Sequence, residues 1–184
     1  MIKVRTQNVA RVCQGDILRD VEHVEDVAEA GGVIEISKIV FPLAIVLTQD
    51  CDLAQDYRVR WSRSKTNDND KMLFSVLVAP LYNVEHVYKG EHLSDLSMQM
   101  QTINKNKTPG KSLRLNETAR YHYLEFPEEL QIVPSVIDFK HYFSVNVSYL
   151  KKVKTKRFVC KVAELYREDI AQRFASFLSR IGLP

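Results

Sequence analysis

Cysteine is scarce: three residues in 184, and Cys13, Cys51 and Cys160 are odd in number and far apart. That excludes a disulfide framework and leaves no CxxC pair for a zinc site. Long hydrophobic runs are also missing, and nothing approaches the roughly 20 apolar residues a helix needs to cross a bilayer. The start, Met1-Ile-Lys-Val-Arg-Thr-Gln-Asn8, is polar and lacks the apolar core of a secretory leader. A cytoplasmic protein without membrane contact is therefore expected. No internal repeat is visible, and neither a GxGxxG nor a phosphate-loop motif occurs. Against these absences stands an ordinary globular composition, 45% hydrophobic and 27% charged, which argues against disorder along most of the chain. The length suits a single domain over residues 1–184 with an insertion over 84–111.

The densest signal is Phe41-Pro-Leu-Ala-Ile-Val-Leu-Thr-Gln-Asp-Cys-Asp-Leu53. Its apolar half has the length and aliphatic content of a strand buried on both faces. It ends in Asp50-Cys51-Asp52, where two carboxylates flanking a thiol repel one another and lose solvation. A chain needing only a turn would more often use Gly, Asn or Ser. The bland alternative is an Asx-type turn with Cys51 tucked into the core as a small hydrophobe.

Net charge is only +3, but Lys and Arg are unevenly placed. Arg58, Arg60, Arg63 and Lys65 form one cluster, with Tyr57 and Trp61 interleaved. Lys105, Lys107, Lys111 and Arg114 form a second, and Lys151, Lys152, Lys154, Lys156, Arg157 and Lys161 a third. Aromatics among cations suit single-stranded nucleic acid, because bases stack on rings while cations hold phosphates. Arg58, Arg60, Lys111 and Arg114 are the contact candidates; a merely solvated surface is the competing reading of each cluster.

Punctuation and periodicity predict a strand at Val9 to Val12 and a Gly15-Asp16 turn into a second. An acidic stretch, Glu25 to Gly32, ends in a Gly31-Gly32 hairpin that leads to a strand from Val33. Val40 to Leu47 is a strand, residues 62–70 a flexible loop, and Met72 to Pro80 a strand ended by its proline. Val84 to Ile103 predicts one or two helices broken near Gly90, with Met98 and Met100 as packing. Asn104 to Lys111 reads as a loop. Thr118 to Phe126 is a strand with Arg120 and His122 on one face. Ser135 to Phe139 and Phe143 to Ser148 are further strands. Arg167 to Arg180 is a helix with Ile170, Phe174, Phe177, Leu178 and then Ile181 on one stripe, stopped by Gly182.

The order of these pieces resembles the PemK/MazF-type toxin family, small SH3-like β-barrels with C-terminal helices that act as sequence-selective endoribonucleases. The counterparts are Gly15-Asp16-Ile17-Leu18, Phe41-Pro42-Leu-Ala-Ile-Val-Leu47, Phe74-Ser-Val-Leu-Val-Ala79, Val136-Ile137-Asp138 and the helix after Arg167. The resemblance implies a mainly β, α+β fold: an SH3-like antiparallel β-barrel with a helical insertion and a C-terminal helix. It also implies metal-independent RNA cleavage without a cofactor, an antitoxin or other protein partner, a bacterial toxin-antitoxin or phage-defence setting, and a homodimer formed through an exposed apolar strand. The chain departs from the pattern twice. Phe41 stands where the family has arginine before the proline, and Pro80-Leu81-Tyr82 where it has Ser or Thr.

If the barrel is catalytic, Asp50, Cys51, Asp52, Arg120 and His122 carry the best groups. His122 and an aspartate would exchange protons, and Arg120 would hold the phosphate. A Cys51-His122-Asp138 arrangement is the thiol alternative. Asp50 and Asp52 have no third carboxylate at a telling spacing, so no metal is expected. The non-enzymatic alternative is a module that binds single-stranded nucleic acid, RNA before DNA, or a protein.

Overall fold

Continuous apolar runs form strands when both faces of a sheet are covered, and that is the arrangement found here. The structure, a computed structural model, describes residues 1–61, 68–108 and 110–180. Its strands are β1 (Val4–Arg5), β2 (Asp16–Ala30), β3 (Val33–Val46), β4 (Ser75–Asn83), β5 (Tyr121–Leu124), β6 (Ser135–Asp138), β7 (Phe143–Asn146) and β8 (Phe158–Val162). The helices are α1 (Asp50–Trp61), α2 (Val84–Lys89), α3 (Gly110–Arg114), α4 (Val147–Arg157) and α5 (Glu164–Leu178). The strands form one curled antiparallel sheet in the order β1-β8-β2-β3-β4-β6-β5, with β7 also paired to β4. The expected α+β class with a barrel-like antiparallel sheet is what the chain adopts.

Alternation along β3 sends Ala44 and Val46 into one core and Ile45 and Leu47 into another. Leu53 of α1 and Leu150 and Val153 of α4 seal the first core. Ile170, Phe174 and Phe177 of α5 seal the second, with Phe139 between the two phenylalanine rings at centroid distances of 5.4 and 5.9 Å. Leu178, expected on that stripe, is exposed. Ile181 and Gly182 lie outside the described residues, as does most of the expected loop over 62–70, including Arg63 and Lys65.

Several expectations are corrected. Val9 to Val12 is irregular, not a strand. Asp50-Cys51-Asp52 opens a 12-residue helix instead of a turn. Both carboxylates fall in its first turn, where the N-terminal end of the helix dipole favours them. Cys51 is exposed, so it is no core hydrophobe. The third basic cluster lies on helix α4 and strand β8, neither of which was anticipated. Asn104 to Lys111 gives way to α3 at Gly110.

Pro80 does not end its strand. Val78 pairs with Val46 on one edge of β4 and with Phe143 on the other, and Ala44–Pro80 is the last pair between β3 and β4. Beyond it β4 continues against β6 while β3 peels away. Proline, lacking an N–H, occupies the position from which one neighbour departs.

The distal half of the β2–β3 hairpin projects from the body and turns at Gly31 and Gly32, both at positive φ as a tight hairpin requires. Val27 stands opposite Ile36, and Ile34 lies two residues along the same face; all three are exposed. The ribbon thus leaves an apolar strip exposed on one face.

Helix α2 stops at Gly90, whose φ of 74° is left-handed. The returning segment comes so close that a Cβ on Gly90 would collide with the Met100 carbonyl oxygen. Gly90→Ala is therefore expected to destabilise the protein by more than about 1 kcal/mol in urea denaturation. Equal stability would show that this segment is not held against α2.

Candidate functional site

Where β3 leaves β4, a cleft of about 480 Å³ opens between Lys38–Leu43 and Pro80–Asn83. Phe41, Pro42 and Leu93 make much of it apolar, while Tyr82 and His92 bring polar atoms to it. Against those two residues stand Asp138 and His141. Asp138 ends β6 and caps the following 3₁₀ turn, its Oδ1 accepting from Lys140 N at 3.0 Å. That turn carries His141 back over the carboxylate, with Nδ1 3.6 Å from Oδ2. Tyr82 Oη lies 3.1 Å from the same Nδ1. The His92 ring meets Tyr82 edge-on at 4.9 Å and lies 6.1 Å from the His141 ring.

Electrostatics sort these groups by role. Asp138 is wholly buried and clamped by Arg120, whose Nε donates to Oδ1 at 2.8 Å. Burial pushes the Tyr82 phenol far above its usual range, with the Asp138 charge adding to it, so Tyr82 stays protonated. Burial also lowers both imidazoles: His141 against the opposing pull of Asp138, and His92 with His141 adding to the effect. The two rings are therefore neutral at pH 7, the form in which a ring nitrogen has a lone pair to offer. Both ring nitrogens of His92 are buried without a hydrogen-bond partner. Such a group costs about 1–3 kcal/mol unless something satisfies it. One nitrogen each from His92 and His141 and one oxygen from Asp138 lie within 4.8 Å of one another.

The residues singled out in the sequence do not converge. Asp50 is gripped by Arg11 through two bonds of 3.0 and 2.7 Å and accepts from Gln14 N at 3.1 Å. Burial alone would raise its carboxyl, but the Arg11 contacts outweigh that and hold it below the usual range. Asp50 lines a separate polar recess of about 170 Å³ with Arg5, Lys161 and Arg167. Cys51 sits outside it, Sγ 3.5 Å from Asp52 Oδ1. His122 is sealed in the α5-side core near Phe139. Burial, reinforced by the Arg173 charge, pushes it down to about 3, so it carries no proton at neutral pH. Arg120 and His122 are two residues apart but have different partners, because Arg120 precedes β5 and turns to Asp138. Asp50, Cys51, Arg120 and His122 thus share no pocket, and Asp138 faces His141 instead of a Cys51-His122 pair.

Among the nucleic-acid candidates, Arg58 is exposed on α1. Arg60 is structural: it chelates the buried Asp56 and donates to Leu73 O at 2.6 Å. Lys111 and Arg114 line a recess of about 310 Å³ beside Tyr88, and Glu85 partly neutralises it by pairing with Lys105 and Arg114. Tertiary structure joins the first and third clusters. Lys151 Nζ of α4 sits 4.6 Å from the Trp61 ring and 5.8 Å from the Tyr57 ring of α1, and those rings are 5.4 Å apart.

Sequence reasoning missed Tyr82, His92 and His141. The Asp138-x-x-His141 spacing was a usable signal, since residues three apart meet in a 3₁₀ turn. His92 had none; only the return of its segment along α2 brings it to β6. No family model matches the chain, and neither a curated protein nor a solved structure is significantly similar to it.

Proposed function

We propose that the protein is a nucleic-acid-binding module on a curled, PemK/MazF-like barrel, which takes single-stranded RNA in preference to DNA on the face shared by α1 and α4. The observation that carries this reading is the meeting of two basic clusters, remote in sequence, around one aromatic pair. Tyr57 and Trp61 supply stacking surface, and Lys151 spans both rings. Arg58, Lys152 and Lys156 stand exposed on the same two helices. Stacking tolerates any base and the cations track any backbone, so affinity without strict sequence choice follows. The preference for RNA rests on the family resemblance. Asp50, Arg120 and His122, the groups first considered for strand cleavage, are engaged in ion pairs or sealed, which favours binding over cutting as their contribution.

Fluorescence titration of a labelled oligonucleotide at several salt concentrations tests this. Three to four phosphate contacts give a log-log salt slope of roughly −2 to −3 on a single strand. The Arg58→Ala/Lys151→Ala/Lys152→Ala variant is expected to flatten that slope by about 2. Trp61→Ala should weaken binding about 5- to 150-fold with the slope unchanged, the cost of one lost stack. Absence of binding at low salt, or equal binding by the triple variant, would refute the reading.

A further inference from the structure

We propose that His92, Asp138 and His141 form a binding site for one divalent transition-metal ion, zinc before others, with an open coordination position facing the cleft between β3 and β4. This goes beyond the nucleic-acid reading and does not depend on it.

Three observations carry it. The donor atoms of the three side chains already lie within 4.8 Å of one another, on segments that the fold brings together from two distant parts of the chain. His92 is half-buried, but both of its ring nitrogens are shielded from water without a hydrogen-bond partner, so a lone pair is held out of water with nothing bound to it. Asp138 is oriented from outside by Arg120 and by Lys140 N, in the way ligating carboxylates are commonly held. Oδ1 accepts from Arg120 Nε and Lys140 N, and Oδ2 already accepts from Arg120 Nη2 at 2.5 Å; a carboxylate has about four lone-pair directions, so one on Oδ2 remains for a partner on the side facing His141.

Bonds of about 2.1 Å put the ligands of a tetrahedral ion roughly 3.4 Å apart. The site must therefore close by about an ångström, and His92 is the ligand free to move, since no hydrogen bond anchors its ring. Two imidazoles and one carboxylate suit late first-row divalent ions and not calcium or magnesium, which prefer all-oxygen shells. With three protein ligands, a fourth position remains for water or a ligand's anionic group. The cleft is the side from which it would be reached, because His92 and its neighbour Tyr82 are among the residues that line that cleft.

The test is calorimetric titration of Zn²⁺ into tag-free protein stripped with EDTA and then freed of it. It is done in a Cys51→Ser background, since that thiol is exposed and would bind zinc on its own account. One ion per chain is expected, with a raised melting temperature. His92→Ala and His141→Ala should each weaken binding at least a hundredfold and abolish the thermal shift. His86→Ala, in the cleft but outside the cluster, should change neither. If His92→Ala fails to fold by circular dichroism, His92→Gln, which keeps volume and polarity, takes its place. No binding at micromolar zinc, or full affinity in both histidine variants, overturns the proposal.

Discussion

Alanine in place of Lys154 is expected to destabilise the protein by about 3–5 kcal/mol, the cost of leaving a buried carboxylate without its counter-ion. Lys154 is 2% exposed, and its ammonium donates to Asp16 Oδ2 and to Arg11 O, both at 2.6 Å. Asp16 is wholly buried at the start of β2, where Oδ2 also accepts from Cys13 N at 2.7 Å while Oδ1 has no partner. Burial pushes its carboxyl above the usual range even with Lys154 in place. Without the lysine, the carboxylate must either stay charged in the core or take up a proton, and both weaken the fold. Urea denaturation at pH 7 measures the loss. Combining Lys154→Met with Asp16→Asn removes both charges and should recover at least half of it, because the cost lies in the orphaned charge and not in the missing contact. A loss below about 1 kcal/mol for the single variant would show that water reaches Asp16.

Acid is expected to destabilise the protein below pH 6.5, with His122 as a principal cause. Its folded value is about 3 against an ordinary 6.5, so at intermediate pH the unfolded chain binds a proton that the folded chain refuses. The contribution is fully present above pH 6.5 and is lost as the pH falls from 6.5 towards 3, by about 1.4 kcal/mol per pH unit. His92 and His141 shift the same way and add to the slope. His122→Leu is expected to flatten the dependence by about one proton and to gain on the wild type by roughly 2–3 kcal/mol near pH 4.5. Its position fits an apolar replacement, since it pairs with Ile137 in the sheet and packs near Phe139. Parallel denaturation profiles for the two proteins between pH 4.5 and 7.5 would mean that His122 ionises as freely folded as unfolded.

The elements legible in advance were those whose signal is local. The Gly31-Gly32 hairpin followed from two residues suited to positive φ, the break at Gly90 from one, and α5 from a stripe of Ile170, Phe174 and Phe177 at helical spacing. Helices α1 and α4 escaped notice because their exposed faces are crowded with Asp, Lys and Arg. Few apolar positions, such as Leu53 on α1 and Leu150 and Val153 on α4, mark the faces they bury. Pro80 misled for a related reason. A missing N–H ends a strand only where a neighbour needs that donor, and Pro80 is the last residue of β4 paired with β3.

The sequence by itself determined the α+β class, most strands, the uneven charge and the lack of an apolar run long enough to span a bilayer, because composition and short-range periodicity decide these. It also held Arg120, His122 and Asp138 as chemistry-bearing residues. Which of them act together was decided only by tertiary structure. Arg120 turns to Asp138, His122 faces an apolar core, and His92 arrives beside His141 through a segment folded back along α2. Likewise Lys151 meets Trp61 only because α4 packs beside α1. Contacts of this kind depend on how strands diverge and helices cross, and residues far apart in the chain bear no local mark of the partner that folding will bring to them.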